Sequence, residues 1–136
     1  MTEAYACDTS VLVPALVSWH PGHDAARRAI LDEVTAIPAH VLLETYSVLT
    51  RLPAPHRVSP KDAAAVVAGL RLDPVTLPAA QQRKLVTAAS GAGIRGGAVY
   101  DALVGATARH HDLHLLTRDR RARTAYDTVG VRYTLT

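Results

Sequence analysis

The sequence has little or none of three features, and each shortage excludes a class of protein. Its 136 residues include one cysteine, Cys7, so an intramolecular disulfide and a zinc site built from several thiolates are both excluded. No apolar run approaches the roughly 20 residues needed to span a bilayer. The N-terminal segment carries Glu3 and Asp8 and has no basic stretch of the kind that begins a signal peptide. The sequence therefore predicts a soluble, cytoplasmic protein without a membrane segment.

Lysine is also scarce, since Lys61 and Lys84 are the only lysines among 15 basic residues, and the formal net charge is +3. The planar guanidinium of arginine suits phosphate better than the lysine ammonium does, although genomic base composition can produce the same bias. The charge is therefore compatible with a nucleic-acid partner and does not by itself establish one.

No internal repeat, linker or low-complexity tract interrupts the chain, so we expect residues 1–136 to form a single domain. Short apolar segments alternate with longer stretches of helical periodicity. The predicted strands are residues 4–7, 35–38, 74–77, 113–117 and 131–135. The predicted helices are residues 9–18, 23–34, 39–52, 60–72, 79–93, 98–111 and 120–128. Strands separated by helices require right-handed crossovers, which predicts a three-layer α/β/α domain around a parallel sheet.

Four acidic residues lie where such a sheet binds its ligands, outside the carboxyl ends of its strands. Asp8 directly follows the first predicted strand, and Asp119 follows the fourth. Glu44 lies near the start of the helix after the second strand, and Asp101 near the start of the helix that precedes the fourth. If the first and fourth strands are neighbours, we expect these carboxylates to converge at one edge of the sheet.

Each acid also has a purely structural interpretation. Asp8 and Asp119 would each serve as the N-cap of the helix that follows, and Asp101 would complement the positive end of its helix. Glu44 is harder to explain in this way, because a carboxylate among the apolar residues of 41–48 needs a partner or must take up a proton. Four such acids directed at one edge favour a shared site over four separate structural roles.

A cluster of carboxylates needs a counterion. Two of them about 4 Å apart repel by about 4 kcal/mol at an effective dielectric constant of about 20. Ligand sets made only of oxygen select Mg²⁺ or Mn²⁺ over zinc, and such an ion can activate water and stabilise the charge of a reacting phosphodiester. We therefore interpret Asp119 as part of a metal site, to which neighbouring arginines draw phosphate. These arginines are Arg118, Arg120, Arg121 and Arg123.

Three segments resemble those of PIN-domain nucleases, and in particular the small VapC toxins of bacterial toxin–antitoxin pairs. They are "CDTSVLV", "HVLLETYSVLTRL" and "GGAVYDALVGATARHHDLHLLTRDRR". The resemblance extends over essentially the whole chain. It implies a five-stranded parallel sheet in the order 3-2-1-4-5 and an endoribonuclease dependent on Mg²⁺ or Mn²⁺. It further implies a toxin that cleaves tRNA or rRNA as a homodimer and is silenced by a cognate VapB antitoxin, in a heterotetramer or larger complex.

The resemblance also assigns roles to individual positions. Asp8 and Asp101 would coordinate the ion, and Glu44 and Asp119 would act as ligands or through bound water. Thr9 and Ser10 match the hydroxyl positions beside the first acid, and Thr117 the one before the last. The candidate RNA contacts are Ser10, Thr117, Arg95, Arg118, Arg120 and Arg121. Because all four acids are present, the resemblance implies an active member of the family.

Two other functions are compatible with parts of the sequence. A phosphatase of the haloacid dehalogenase type also begins with a strand that ends on aspartate, but it needs a second aspartate where this chain has Ser10. A non-catalytic RNA-binding module on the same fold would use the arginines without a metal, and the complete set of acids argues against it. "GAGIRGG", which contains Arg95, would be either a helix C-cap or a loop that passes close to the site.

The histidines and the tryptophan receive weaker assignments. His110 and His114 are predicted to lie on either side of a strand start, which argues against a metal-binding pair. We expect Trp19 to pack over the first helix, although it could also contact an RNA base or an antitoxin side chain. Four further histidines at loops or helix starts are assigned no role; they are His20, His23, His40 and His56.

Overall fold

The computed structural model describes residues 3–136. The strands are β1 (Ala4–Cys7), β2 (Ala36–Pro38), β3 (Asp73–Val75), β4 (Leu113–Thr117) and β5 (Tyr133–Leu135). The helices are α1 (Thr9–Leu16), α2 (His23–Asp32), α3 (Ala39–Thr50), α4 (Pro60–Ala68), α5 (Ala79–Gly91), α6 (Ala98–His110) and α7 (Arg123–Val129), with a 3-10 turn at Arg120–Ala122. Every predicted element is present. The largest shift is in α4, which ends at Ala68 rather than residue 72.

Strands β1, β4 and β5 form a parallel sheet with β4 in the centre. Ala4 pairs with Leu113 and Cys7 with Leu116, so β1 and β4 end side by side. The backbone N–H of Asp8 extends this pairing by donating to the carbonyl of Leu116 at 3.1 Å. The expectation that the first and fourth strands are neighbours is therefore confirmed.

The expectation of one five-stranded sheet in the order 3-2-1-4-5 was wrong, because β2 and β3 form a separate parallel pair. The two sheets are joined by a single bridge between Tyr5 and Val34. At Thr35 the N–H donates to Tyr5, whereas the carbonyl accepts from Asp73. In a regular strand both groups of one residue point to the same neighbour. Thr35 is therefore a break in the strand, where the hydrogen bonding changes from β1 to β3.

Helices cover both faces of the central sheet. Leu115 and Leu116 are consecutive residues of β4 whose side chains point to opposite faces, and they are 0% and 4% exposed. Ala6 and Cys7 of β1 are buried in the same way. This is the layered α/β arrangement that the alternation of elements predicts. No helix within residues 3–136 is both long and apolar enough to cross a membrane.

Helices α6 and α7 approach each other closely at Gly105. A Cβ atom at this position would lie 2.8 Å from Cδ1 of Tyr126 and 2.9 Å from Cγ2 of Val129. Both distances are shorter than carbon atoms tolerate without a shift. Glycine therefore lets the ring of Tyr126 lie directly against the backbone of α6.

Candidate active site

Asp8 is held by four hydrogen-bond donors at the junction of β1 and α1. Its Oδ1 accepts from the backbone N–H of Ser10 at 3.0 Å and from the Ser10 hydroxyl at 2.5 Å. Its Oδ2 accepts from the hydroxyls of Thr117 at 2.5 Å and Tyr126 at 2.6 Å. A carboxylate offers about four lone-pair positions, so each has a donor. Asp8 is thus both the N-cap of α1 and a buried, fixed carboxylate, and the two interpretations from the sequence are compatible.

The hydroxyls of Ser10 and Thr117 also accept hydrogen bonds from the turn that follows β4. Ser10 Oγ accepts from the backbone N–H of Arg118 at 2.7 Å, and Thr117 Oγ1 accepts from that of Asp119 at 3.1 Å. Each hydroxyl has one proton, and both protons are donated to Asp8. Ser10 and Thr117 therefore connect the end of β1 to the end of β4.

Tyr126 is a member of this network that the sequence analysis missed. It lies on α7 and is 1% exposed. Burial and the neighbouring Asp8 raise its pKa, so the phenol stays protonated and donates to Oδ2. The available signal was a tyrosine whose helix neighbours Ala122, Ala125 and Val129 are apolar, because a buried phenol needs a hydrogen-bond partner. Nothing in the sequence identifies that partner.

The other three acids are brought to the same place by different elements. Glu44 lies on α3, Asp101 in the first turn of α6, and Asp119 directly after β4. Together with Asp8 they line one cavity of about 70 Å³, which we call the acid cavity. Its remaining lining residues are Thr9, Ser10, Val104 and Tyr126.

The acid cavity makes its carboxyl groups harder to ionise. Burial, and then the charges of Asp101 and Asp8, raise the pKa of Glu44 to about 7. Burial, and then Asp119 and Asp8, raise the pKa of Asp101 to about 6. The pKa of Asp8 is also raised by burial, against the opposing effect of its hydrogen bonds. The raised pKa of Glu44 is consistent with the expectation that this carboxyl needs a partner or must take up a proton, and the acids destabilise one another's charged forms.

His40 is a second residue that the sequence analysis missed. Its Nε2 lies 3.3 Å from Oε1 of Glu44, one helical turn away on α3. Burial lowers the pKa of His40 while that of Glu44 is raised, so the contact has little of the character of an ion pair. The ring of His40 also stacks on Tyr100. The four-residue spacing between His40 and Glu44 was the readable signal.

The chemistry of the acid cavity fits a hard divalent cation. All four acids offer oxygen, and the buried Oγ1 of Thr9, which lines the same cavity, has no hydrogen-bond partner within residues 3–136. In that part of the chain, no three histidine, cysteine, aspartate or glutamate side chains are already gathered into a group that could hold a metal ion. An ion here would therefore be bound through one or two carboxylates and water, as Mg²⁺ usually is. Direct ligation by Asp8 would displace one of its four donors.

The predicted arginine contacts are spread over two regions. Arg121 lies beside Asp119, to which it donates its backbone N–H at 2.9 Å, with Nε 3.7 Å from the same oxygen. Arg120 is exposed on the same turn, and the guanidinium of Arg118 lies against Gly22, in the loop before α2. Arg95 lies elsewhere, in a cavity lined by residues of α5 and α6.

The remaining expectations concern Trp19 and a histidine pair. Trp19 is 46% exposed and stacks on His56 with ring centroids 4.2 Å apart. Its packing over α1 stays a prediction. His110 ends α6, whereas His114 lies within β4 and contacts Glu3 at 2.9 Å. The expectation that these two histidines do not form a metal-binding pair is consistent with this placement.

Comparison with known proteins identifies the family. Residues 5–127 match the PIN domain. The chain belongs to the PIN domain family. This PIN domain is 46% identical over 127 residues to ribonuclease VapC40 of Mycobacterium tuberculosis, which covers 93% of this chain and 94% of VapC40. It is 41% identical over 131 residues to ribonuclease VapC27 of the same organism, which covers 96% of each chain. The resemblance to VapC toxins is therefore confirmed.

The fold is also shared with a solved structure. The crystal structure of VapC20 from Mycobacterium tuberculosis, a toxin that cleaves the sarcin–ricin loop, superposes with a TM-score of 0.70. The aligned region covers 90% of this chain and 95% of VapC20, with 19% sequence identity. At this identity the comparison shows a common fold.

Proposed function

We propose that this PIN domain is a VapC-type endoribonuclease toxin that depends on Mg²⁺ or Mn²⁺. It cleaves structured RNA such as tRNA or rRNA, and so inhibits translation and growth until a VapB-type antitoxin neutralises it. The observation that carries the proposal is the acid cavity, in which four carboxyl groups from distant parts of the chain face one another. The two named ribonucleases that it matches along almost their whole length support the same activity.

Asp8 and Asp101 would coordinate the ion, and Glu44 and Asp119 would hold it through bound water. When bound, the ion supplies a nucleophilic water at neutral pH and stabilises negative charge on the phosphodiester. Ser10, Thr117 and Tyr126 fix the orientation of the Asp8 carboxylate through three hydroxyl hydrogen bonds. We propose that Ser10 and Thr117 act on RNA through this positioning of Asp8, because both hydroxyl protons are already donated to it.

The turn after β4 would bind the RNA backbone beside the acids. Arg118, Arg120 and Arg121 follow Thr117 on this turn, and the side chain of Arg121 is 95% exposed. Such cations draw a polyanion towards an otherwise repulsive acid cavity. Arg95, in a separate cavity, would reach only a part of the RNA away from the cleavage point.

We further propose the assembly that the family implies. Residues 1–136 would act as one domain in the cytoplasm, where tRNA and ribosomes are found. The protein would be a homodimer, and with the VapB-type antitoxin it would form a heterotetramer or larger complex. The similarity to VapC40 and VapC27 supports this proposal.

The structure also bears on the two rival functions. A module that only bound RNA would gain nothing from four carboxyls in one cavity, because they repel phosphate. A haloacid dehalogenase needs a second carboxylate where Ser10 stands, and the Ser10 hydroxyl instead donates to Asp8. Neither alternative is favoured by a specific contact.

The test is to incubate the purified protein with tRNA and rRNA in Mg²⁺, in Mn²⁺ and in chelator, and to analyse the products on denaturing gels. We expect fragments with either ion and intact RNA in chelator. RNA that is bound but uncut in Mg²⁺ would establish the binding module. Intact RNA together with turnover of 4-nitrophenyl phosphate would establish the phosphatase.

A further inference from the structure

Two aromatic rings lie stacked beside the acid cavity. The ring of Tyr100 lies on that of His40 with centroids 5.1 Å apart and an angle of 6° between the planes. This is the parallel, offset arrangement that aromatic rings favour. Tyr100 immediately precedes Asp101, and His40 contacts Glu44. Each ring of the pair is therefore next to one of the four acids, Tyr100 to Asp101 along the chain and His40 to Glu44 through a side-chain contact.

Tyr100 is more exposed to solvent than the other tyrosines that lie against an aromatic ring, Tyr5, Tyr126 and Tyr133. The hydroxyls of Tyr5, Tyr126 and Tyr133 each donate to a carboxylate. Tyr100 is 54% exposed. Because His40 covers one face of its ring, the exposed area lies on the other face and at the edges. The fold thus holds an aromatic surface open to solvent, with its orientation fixed by the His40 stack.

We propose that Tyr100, supported by His40, is a stacking site for an unpaired RNA base next to the cleaved phosphate. The inference rests on the proposed nuclease function and adds a binding subsite to it. Unpaired bases stack on aromatic side chains, whereas bases within a duplex offer no free face. With one base held on Tyr100, the adjoining phosphate would be directed towards the acid cavity, because Tyr100 precedes Asp101 and His40 contacts Glu44.

The charges around the ring pair favour a nucleotide as the occupant. Nε of Arg121 lies 3.7 Å from Oδ1 of Asp119, which lines the acid cavity together with Asp101, the neighbour of Tyr100. Arg118 and Arg120 lie on the same turn as Arg121. A nucleotide combines a flat base with an anionic phosphate, which matches an exposed ring beside an arginine turn and a cation-binding cavity. An apolar protein side chain would use the ring alone.

The experiment uses an eight-nucleotide oligouridine RNA with 2-aminopurine at one central position, whose fluorescence is quenched on stacking. Titrations of the full-length protein are made with Ca²⁺ in place of Mg²⁺, and a parallel gel checks that the RNA is intact. We expect Tyr100→Ala to weaken binding by about 5- to 100-fold and to abolish the quenching. Tyr100→Phe keeps the ring and should behave like the wild type. Tyr46→Ala is the matched control, because Tyr46 is an exposed tyrosine of α3 outside the acid cavity.

Every outcome decides the proposal. It is overturned if the wild type does not quench the probe, if Tyr100→Ala binds as the wild type does, or if Tyr100→Phe loses as much as Tyr100→Ala. Unchanged RNA binding by Tyr100→Ala would instead indicate that the ring serves a protein partner. Cleavage in Mg²⁺ tests the nuclease separately, and Tyr100→Ala should raise KM more than it lowers kcat. Binding that depends on Tyr100 without any cleavage would support the stacking site and reject the nuclease.

Discussion

The acid cavity and the cleft between α5, α6 and α7 differ in size and in how their charges are used. The cleft encloses about 450 Å³ against about 70 Å³ for the acid cavity, and basic side chains including Lys84 and Arg109 line it. Arg109 already has a structural partner, since its Nη1 donates to the carbonyl of Val129 at 2.9 Å, in the last turn of α7. In the acid cavity, by contrast, like charges face one another and the pKa values of Glu44 and Asp101 are raised.

Between these two, volume alone would select the cleft as the binding site. Unbalanced charge is the better guide here, because carboxyl groups with strongly raised pKa values cluster at functional sites. Each of the following predictions separates the acid cavity from regions whose charges are balanced.

The largest expected effect is on cleavage by Asp8→Asn. The amide removes a negative charge from the proposed metal site, so the RNA cleavage rate in Mg²⁺ should fall by at least about 100-fold. Arg109→Gln, in the larger cleft, should cleave at the wild-type rate. Initial rates and circular dichroism of both variants check this. Wild-type cleavage by Asp8→Asn, or an equal loss in folded Arg109→Gln, would reverse the comparison.

A smaller loss is expected from Tyr126→Phe, which removes one of the four donors to Asp8 without removing the ring. Loss of a hydrogen bond that orients a ligand should reduce Mn²⁺ affinity and RNA cleavage by about 10- to 100-fold. Tyr133→Phe is the matched control, because its hydroxyl donates to the exposed Asp127. Titrations with Mn²⁺ measure both variants. If the two lose the same amount, the contact of Tyr126 with Asp8 does not support the metal site.

Asp101→Asn should raise the melting temperature of the metal-free protein by about 2–5 °C. The reason is that the amide removes the repulsion of Asp101 with Asp119 and Asp8. Melting curves in chelator and in Mg²⁺ test this, and Mg²⁺ should stabilise the wild type more than the variant. Asp24→Asn, at the exposed start of α2, should give no gain. A lower melting temperature for Asp101→Asn in chelator would mean that its charge is compensated within the protein.

The smallest expected effect is a pH dependence of metal-free stability. Folding raises the pKa of Glu44 to about 7 and that of Asp101 to about 6, so between about pH 4 and 7 the folded state binds more protons than the unfolded state. The two carboxyl groups therefore contribute to the free energy of unfolding at low pH, and this contribution is lost as the pH rises through 6 to 7. The lowered pKa of His40 acts in the opposite sense. Melting temperatures in chelator should therefore fall less steeply for Glu44→Gln than for the wild type between pH 5 and 8. Identical slopes would contradict the assignment to Glu44.

There is a physical reason why the helices and strands, and the position of the acids at one edge of the sheet, could be predicted from the sequence. Apolar segments at strand length and amphipathic stretches at helix length alternate along the chain, which leaves few topologies. Once β1 and β4 are neighbours, Asp8 and Asp119 must lie at one edge. The break at Thr35 could not be predicted, because it depends on the direction of single backbone hydrogen bonds, which residue types do not encode.

The contacts of the site also include one that could be predicted from the sequence and one that could not. The approach of His40 to Glu44 is local, one turn apart on α3, and was readable from the spacing. The hydrogen bond from Tyr126 joins residues 118 positions apart, and it depends on how α7 packs against α6. Sequence shows that a buried phenol needs a partner, whereas only the packing of helices determines which one it meets.

The missing side chain at Gly105 gives this packing a wider consequence. Because Gly105 has no side chain, Tyr126 packs close to the backbone of α6. This close packing places the Tyr126 hydroxyl within hydrogen-bonding distance of Asp8. Exchange of that hydrogen for a methyl group, one helical turn beyond Asp101 on α6, would force α7 to shift away from α6. A substitution at Gly105 would thus adjust the toxicity through the position of Tyr126. Neither evolution nor protein engineers would need to change the reactive groups themselves.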